Sequence, residues 1–153
     1  MKTFVDLYYD DFKVGDKWRS HTKTITEADM VAFNNMVGLV HPAFVDEEFI
    51  KTKTYFKKRF ASGVMTIPVA AGLLTQLHIF DNSLVAMVGM EASMKKPVIA
   101  GDTIYIDVEV VKKKESSSGD RGVISFRYSP INQKGETVAD IIESIMVIKR
   151  GSL

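Results

Sequence analysis

The chain is expected to fold as an α+β domain in which largely antiparallel strands curl around one apolar helix. Residues 62–80, SGVMTIPVAAGLLTQLHIF, carry no charged side chain. Their apolar positions fall on nearly every side of a helical projection, which is the pattern of a buried helix rather than an amphipathic surface one. From Leu84 onward the apolar period changes to two, and strands are expected over 84–90, 92–94, 103–112, 122–128 and 137–149. Helical signals early in the chain, followed by a run of strands, define the class. A strongly twisted sheet around the apolar helix would bury both.

Residues 4–20, FVDLYYDDFKVGDKWRS, make an aromatic-rich start with a turn at Val14-Gly15-Asp16 and a short strand after it. Trp18 is expected to help close the core. Thr22 to Ile25 reads as a short strand. Thr26 with Asp29 has capping-box spacing, so a helix is expected from Glu27 to Val37 with Met30, Val31, Phe33, Met36 and Val37 on its buried face, ended by Gly38. Residues 38–46, GLVHPAFVD, form a loop pinned by Pro42, and a short helix follows over 47–53. The central helix is expected over Val64 to Phe80, with Pro68 tolerated near its start. The run Ala70-Ala71-Gly72 leaves room for close packing on its middle. Gly101-Asp102 and residues 132–135 supply turns, and the polar 113–119 segment, KKESSSG, is a hairpin tip.

With 153 residues, 46% of them hydrophobic, residues 1–153 are expected to form a single domain with a substantial core. Twenty Lys and Arg balance nineteen Asp and Glu, so no overall field draws the protein to nucleic acid or to a membrane. As a helix, Val64 to Phe80 would measure about 25 Å, short of a bilayer span. There is no cysteine, which excludes disulfides and thiolate chemistry. Three dispersed histidines offer no ligand-spaced metal cluster, and no metal or separate cofactor is expected. The start, MKTFVDLYYDDF, has no apolar signal core, so a cytoplasmic location is expected.

Lys51, Lys53, Lys57, Lys58 and Arg59 form a basic run interrupted by Tyr55 and Phe56. It is either a solvated face or a surface for phosphate groups. Met65, Met87, Met90, Met94 and Met146 are core residues, or in part the lining of an acyl tunnel. The exposed edge of such a sheet is most simply removed by pairing with a second copy, so a homodimer or higher oligomer is expected.

Four stretches, spread over most of the chain, resemble the MaoC-like dehydratases, the hotdog-fold family that includes the (R)-specific enoyl-CoA hydratases. They are Phe12-Lys13-Val14-Gly15-Asp16; residues 24–29 with Phe33; GLVHPAFVDEEF followed by RFASGVMT; and Lys96-Pro97-Val98 with Gly101-Asp102-Thr103. The resemblance implies a hotdog sheet folded around the 64–80 helix, a dimer, and an acyl-CoA thioester as ligand, with coenzyme A entering only as part of the substrate. Family members that hydrate enoyl thioesters carry Gly-Asp-x-Asn-Pro-hydrophobic-His-x-Asp in the loop where Gly38 to Asp46 stands. Aligning Gly38, Pro42 and Asp46 places Leu39 at the catalytic acid and Phe44 at the histidine, with His41 where asparagine is usual. Neither Leu39 nor Phe44 can transfer a proton, and both would instead border the acyl site.

Two groups remain that suit thioester chemistry. His41 and Asp46 keep the separation of the family pair in reverse order; they are a substitute acid/base pair, or a backbone-bonding imidazole and a plain helix cap. His21 and His78 are weaker candidates for the same proton. Ser62-Gly63 stands where the family has a small polar residue or histidine followed by glycine. There a helix N-terminus offers backbone N–H groups to a thioester carbonyl developing negative charge, and Ser62 caps the same helix. Lys57, Lys58 and Arg59 are the candidate phosphate contacts. The expected function is therefore an acyl-CoA thioester-handling enzyme, a divergent enoyl-CoA hydratase/3-hydroxyacyl-CoA dehydratase or a hotdog thioesterase. The alternatives are a non-catalytic acyl-CoA or acyl-carrier binding subunit, joined in a heteromer with a catalytic homologue, and a purely structural domain.

Overall fold

In the computed structural model, which describes residues 6–152, one antiparallel sheet carries the fold. Its strands are β1 (Lys17–Arg19), β2 (Lys23–Thr24), β3 (Leu84–Met94), β4 (Thr103–Glu115), β5 (Arg121–Asn132) and β6 (Ala139–Ile148). The order is β1-β4-β5-β6-β3, with β2 also paired to β4. The helices are α1 (Glu27–Val37), α2 (Pro42–Val45), α3 (Glu47–Lys53) and α4 (Gly63–Thr75). Phe4, counted in the aromatic start, lies outside the described residues.

Period-two patterning decides which face is inside. Ile104, Ile106, Val108 and Val110 of β4, Ile124, Phe126 and Tyr128 of β5, and Ala139, Ile141, Ile145 and Val147 of β6 are buried. They pack with Met65, Ala70, Leu73 and Leu74 of α4. Phe12 closes one side, its ring edge-on to Phe126 and to Trp18. Of the opposite face, Arg19 and Arg127 clamp Asp107 and Asp140 through paired N–H donors.

Several expectations need correction. The central helix ends at Thr75, not Phe80. The last turn tightens, with Leu77 N–H donating to Leu74 and His78 N–H to Thr75, and His78 takes a left-handed φ of 54° that a helix does not tolerate. Ile79 and Phe80 remain in the core outside the helix. Nor is α4 covered all round: Val64 and Pro68 are exposed. In α1, Met30 and Asn34 are the buried members, whereas Val31, Met36 and Val37 are exposed. Asn34 is inward because its amide reaches the Phe44 carbonyl. The 38–46 loop contains the one-turn α2, started by Pro42. The expected strands 84–90 and 92–94 are one strand, β3, whose register shifts twice near its start. Met65 is core, while Met87 and Met94 on β3 are exposed. The strand pair β4–β5 runs further than expected, so residues 113–115 belong to β4.

Candidate functional site

The start of α4 is held from outside the helix. Ala61 N–H donates to Val98 and Ala100 N–H to Arg59, so residues 59–61 are stitched to the segment leading into β4. Ser62 then caps the helix: its Oγ accepts from Met65 N–H at 3.2 Å, and its carbonyl accepts from Met65 and Thr66. The N–H groups of Gly63 and Val64 donate to no acceptor among the described residues, as the geometry of a helix start dictates. Beside them lies a cavity of about 280 Å³ lined by Phe56, Phe60, Ala61, Gly63, Thr66, Met94, Lys95, Lys96 and Pro97. A Cβ at Gly63 would stand 3.3 Å from Met94 Cγ and 3.4 Å from its Sδ. Glycine therefore keeps this wall open, and the Gly63 amide, at the positive end of a helix dipole, belongs to the cavity wall.

The 38–46 loop meets the same wall from behind. Phe44 packs on Phe60 with ring centroids 5.2 Å apart, and Phe60 packs on Phe56 at 4.9 Å. Phe44 thus backs the cavity without lining it, and Leu39 is half-buried outside it. His41 caps α2, its Nδ1 accepting from Ala43 N–H at 3.1 Å. Asp46 caps α3, its Oδ1 accepting from Phe49 N–H at 2.9 Å. No hydrogen bond joins His41 to Asp46 among the described residues, and neither lines the cavity. One atom of each, His41 Nδ1 and Asp46 Oδ1, accepts from a backbone donor in the geometry of a helix cap.

Arg59 points inward. Its side chain is 12% exposed; NH1 donates to the Phe44 carbonyl at 2.8 Å and NH2 to Glu47 at 3.0 Å, while Nε lies 2.9 Å from Glu27 without hydrogen-bond alignment. It ties α1, α2 and α3 together and does not line the cavity beside Gly63. Lys57 donates through Nζ to the Thr52 carbonyl, and Lys58 is exposed. The lysines that do line the cavity are Lys95 and Lys96, an isolated pair just after β3 that no basic run marks in the sequence. Lys96 is paired with Glu136 at 2.7 Å. His21 is exposed, and His78 meets Asp81 at 2.8 Å beyond the other end of α4 from Gly63.

One buried polar pair was not anticipated. Tyr128 donates its hydroxyl to Glu143 Oε2 at 2.6 Å; Glu143 is 7% exposed and Tyr128 fully buried. Burial, reinforced by the Glu143 carboxyl, pushes the Tyr128 pKa up and keeps the hydroxyl a donor. The sequence did hold a signal, because Glu143 alternates with Ile141 and Ile145 and so falls on the inner face.

An antiparallel sheet wrapped around one helix, with an opening at the helix start, is the hotdog architecture. A Mycobacterium tuberculosis protein with a double hotdog fold superposes with a TM-score of 0.83 at 19% identity, over 97% of this chain and 46% of that one. A structure from Archaeoglobus, described as a monoamine oxidase regulatory protein, gives a TM-score of 0.87 at 30% identity over 94% and 95% of the two chains. The family model for the MaoC like domain matches residues 11–126. The chain belongs to that family. It is 30% identical to an (R)-specific enoyl-CoA hydratase of Rhodospirillum rubrum over 94% of each chain. To a mesaconyl-CoA hydratase of Cereibacter sphaeroides it is 27% identical, over 98% of this chain but only 43% of the relative's length. Among the described residues, no helix is long and apolar enough to cross a membrane.

Proposed function

We propose that this protein binds acyl thioesters at the start of α4, the carbonyl oxygen accepting from the Gly63 amide, and that it does so as a divergent member of the hydratase/dehydratase family. The observation that carries this reading is the free backbone donor of Gly63 in the wall of a cavity kept open by the missing Cβ. Such donors suit an oxygen that gains negative charge as a thioester is polarised. The proton-transfer half of the site is replaced: with Leu39 and Phe44 at the family's acid and base positions, and with His41 and Asp46 acting as caps, hydration by the isolated chain is slow or absent. Its role is then to hold a thioester, as a binding subunit beside a catalytic homologue.

A second reading, a working hydratase in which His41 moves the proton, draws on the 30% identity to the Rhodospirillum rubrum enzyme along nearly its whole length. Its uncommitted Nε2 makes His41 the residue to test. Calorimetric titration with a saturated acyl-CoA should show binding, and a crotonyl-CoA assay should show no difference between wild type and His41→Ala. Failure to bind any acyl thioester would end the first reading; turnover lost in His41→Ala would establish the second.

Assembly follows from the sheet. The β3 edge exposes Leu84, Val85, Met87, Val88 and Met94, and α4 exposes Val64 beside it. Pairing of this edge with a like edge, of a second copy or of a homologous chain, would cover both.

A further inference from the structure

The turn between α3 and the cavity wall is built to hold an unusual shape. Lys57 has a φ of 57°, one of only two positive values among non-glycine residues described, a conformation that costs on the order of 1 kcal/mol or more and persists only where its surroundings fix it. The surroundings do so: Lys57 N–H donates to Thr54 Oγ1, which itself donates to the Ile50 carbonyl, and Lys57 Nζ donates to the Thr52 carbonyl. What the shape achieves is to hold Tyr55 92% exposed, its ring edge-on to Phe56 at a centroid distance of 5.4 Å, while Phe56 itself lines the cavity that contains Gly63. Lys53 and Lys58 stand two residues before and three after Tyr55 in the chain, and neither pairs with a carboxylate among the described residues.

A held aromatic face standing in solvent, packed on a ring that lines the cavity and close in sequence to two lysines without a carboxylate partner, fits a flat base that carries phosphates. We propose that the 54–58 turn is the nucleotide subsite of the thioester site: Tyr55 stacks on the adenine of a coenzyme A thioester, and Lys53 and Lys58 face its phosphates. This rests on the thioester reading above and sharpens it, because a carrier-protein arm offers the same pantetheine and phosphate but no base. The site therefore selects coenzyme A thioesters over carrier-bound ones.

Three butyryl thioesters, of coenzyme A, of 4′-phosphopantetheine and of pantetheine, separate the parts by calorimetry. Wild type should bind the coenzyme A thioester roughly tenfold or more tighter than the phosphopantetheine one, the size of a single base-aromatic stack. Tyr55→Ala should abolish that advantage and leave affinity for butyryl-pantetheine unchanged, and Tyr55→Phe should retain it. Lys53→Glu/Lys58→Glu should weaken both phosphate-bearing ligands and flatten their salt dependence. Equal affinity of wild type for all three ligands would overturn the subsite while leaving the thioester reading intact, as would a Tyr55→Ala loss shared equally by all three. Binding of none of them would bring down both.

Discussion

Phe60 shares the cavity wall with Gly63 and packs its ring on Phe44, so two regions with different chemistry meet at one side chain. On the Gly63 side everything is arranged around unspent donors: a capped helix, a missing Cβ, an opening. On the Phe44 side most polar groups already have partners within the chain. Rings stack from Phe44 to Phe60 to Phe56, Arg59 holds the Phe44 carbonyl, and His41 and Asp46 give their acceptors to helix starts. Carbonyl binding needs only backbone geometry, whereas proton transfer needs particular side chains. A few substitutions can therefore remove the second and leave the first.

The largest change should come from putting the chemistry back. Leu39→Asp/Phe44→His places an acid and a base at the positions that the resemblance of the 38–46 loop would assign to them, and on the proposed reading crotonyl-CoA hydration should rise by roughly 10²-fold or more over wild type, with little gain from either single change. A folded double variant with no gain would break the comparison, since the loop would then not face the bound thioester at all. Next in size is Gly63→Val. Its side chain meets Met94 and closes the opening, so thioester affinity should fall by roughly tenfold or more, measured by calorimetry, with the melting temperature little changed. Gly63→Ala should lose less, because the contact is with the flexible end of Met94.

Glu143 lies on the inner face of β6, and Tyr128→Phe tests whether that buried carboxyl is structural. Removing the hydroxyl leaves Glu143 without its partner and should cost about 1–3 kcal/mol of stability in urea unfolding. Tyr128→Phe/Glu143→Gln should recover part of the loss, since an amide is less costly to bury than an unpaired charge. Thioester affinity should not move in either variant. If it does, Glu143 belongs to the ligand site.

What the chain reveals before folding follows the same division. Local rules were legible: the Thr26–Asp29 capping box forms as written, Ser62 caps α4, and alternation along β4 to β6 assigns the inner face. The end of α4 was not, because Ile79 and Phe80 are buried whether or not they are helical, and apolar content alone does not say where a helix stops. The places of Asn34 and Arg59 were not legible for a different reason. Each looks like a solvated polar residue until a distant partner, the Phe44 carbonyl or the Glu27 and Glu47 carboxylates, is brought to it. Tyr55 was legible as an aromatic among lysines, but its near-complete exposure depends on the left-handed Lys57, which no periodicity encodes.

The smallest expected effect separates the fold's acid sensitivity from the site's. The hydrogen bonds and charge of Arg127 hold the Asp140 carboxyl below its ordinary 3.8, partly offset by desolvation, and Arg19 lowers Asp107 in the same way. A depressed carboxylate favours the folded state above its unfolded pKa, and that contribution is lost as pH falls through the lower, folded value. Urea midpoints should accordingly be flat from neutrality to about pH 5 and decline below about pH 4. Asp140→Asn should lower the neutral-pH midpoint slightly, by the small amount typical of an exposed ion pair, and make the acid decline shallower. Neither carboxylate lies in the cavity wall or in the 38–46 loop, so butyryl-CoA affinity measured at pH 5 and pH 7 should change alike in wild type and Asp140→Asn. A divergence between them would tie the outer face of the sheet to the ligand site, and the separation drawn at Phe60 would have to be extended across the strands.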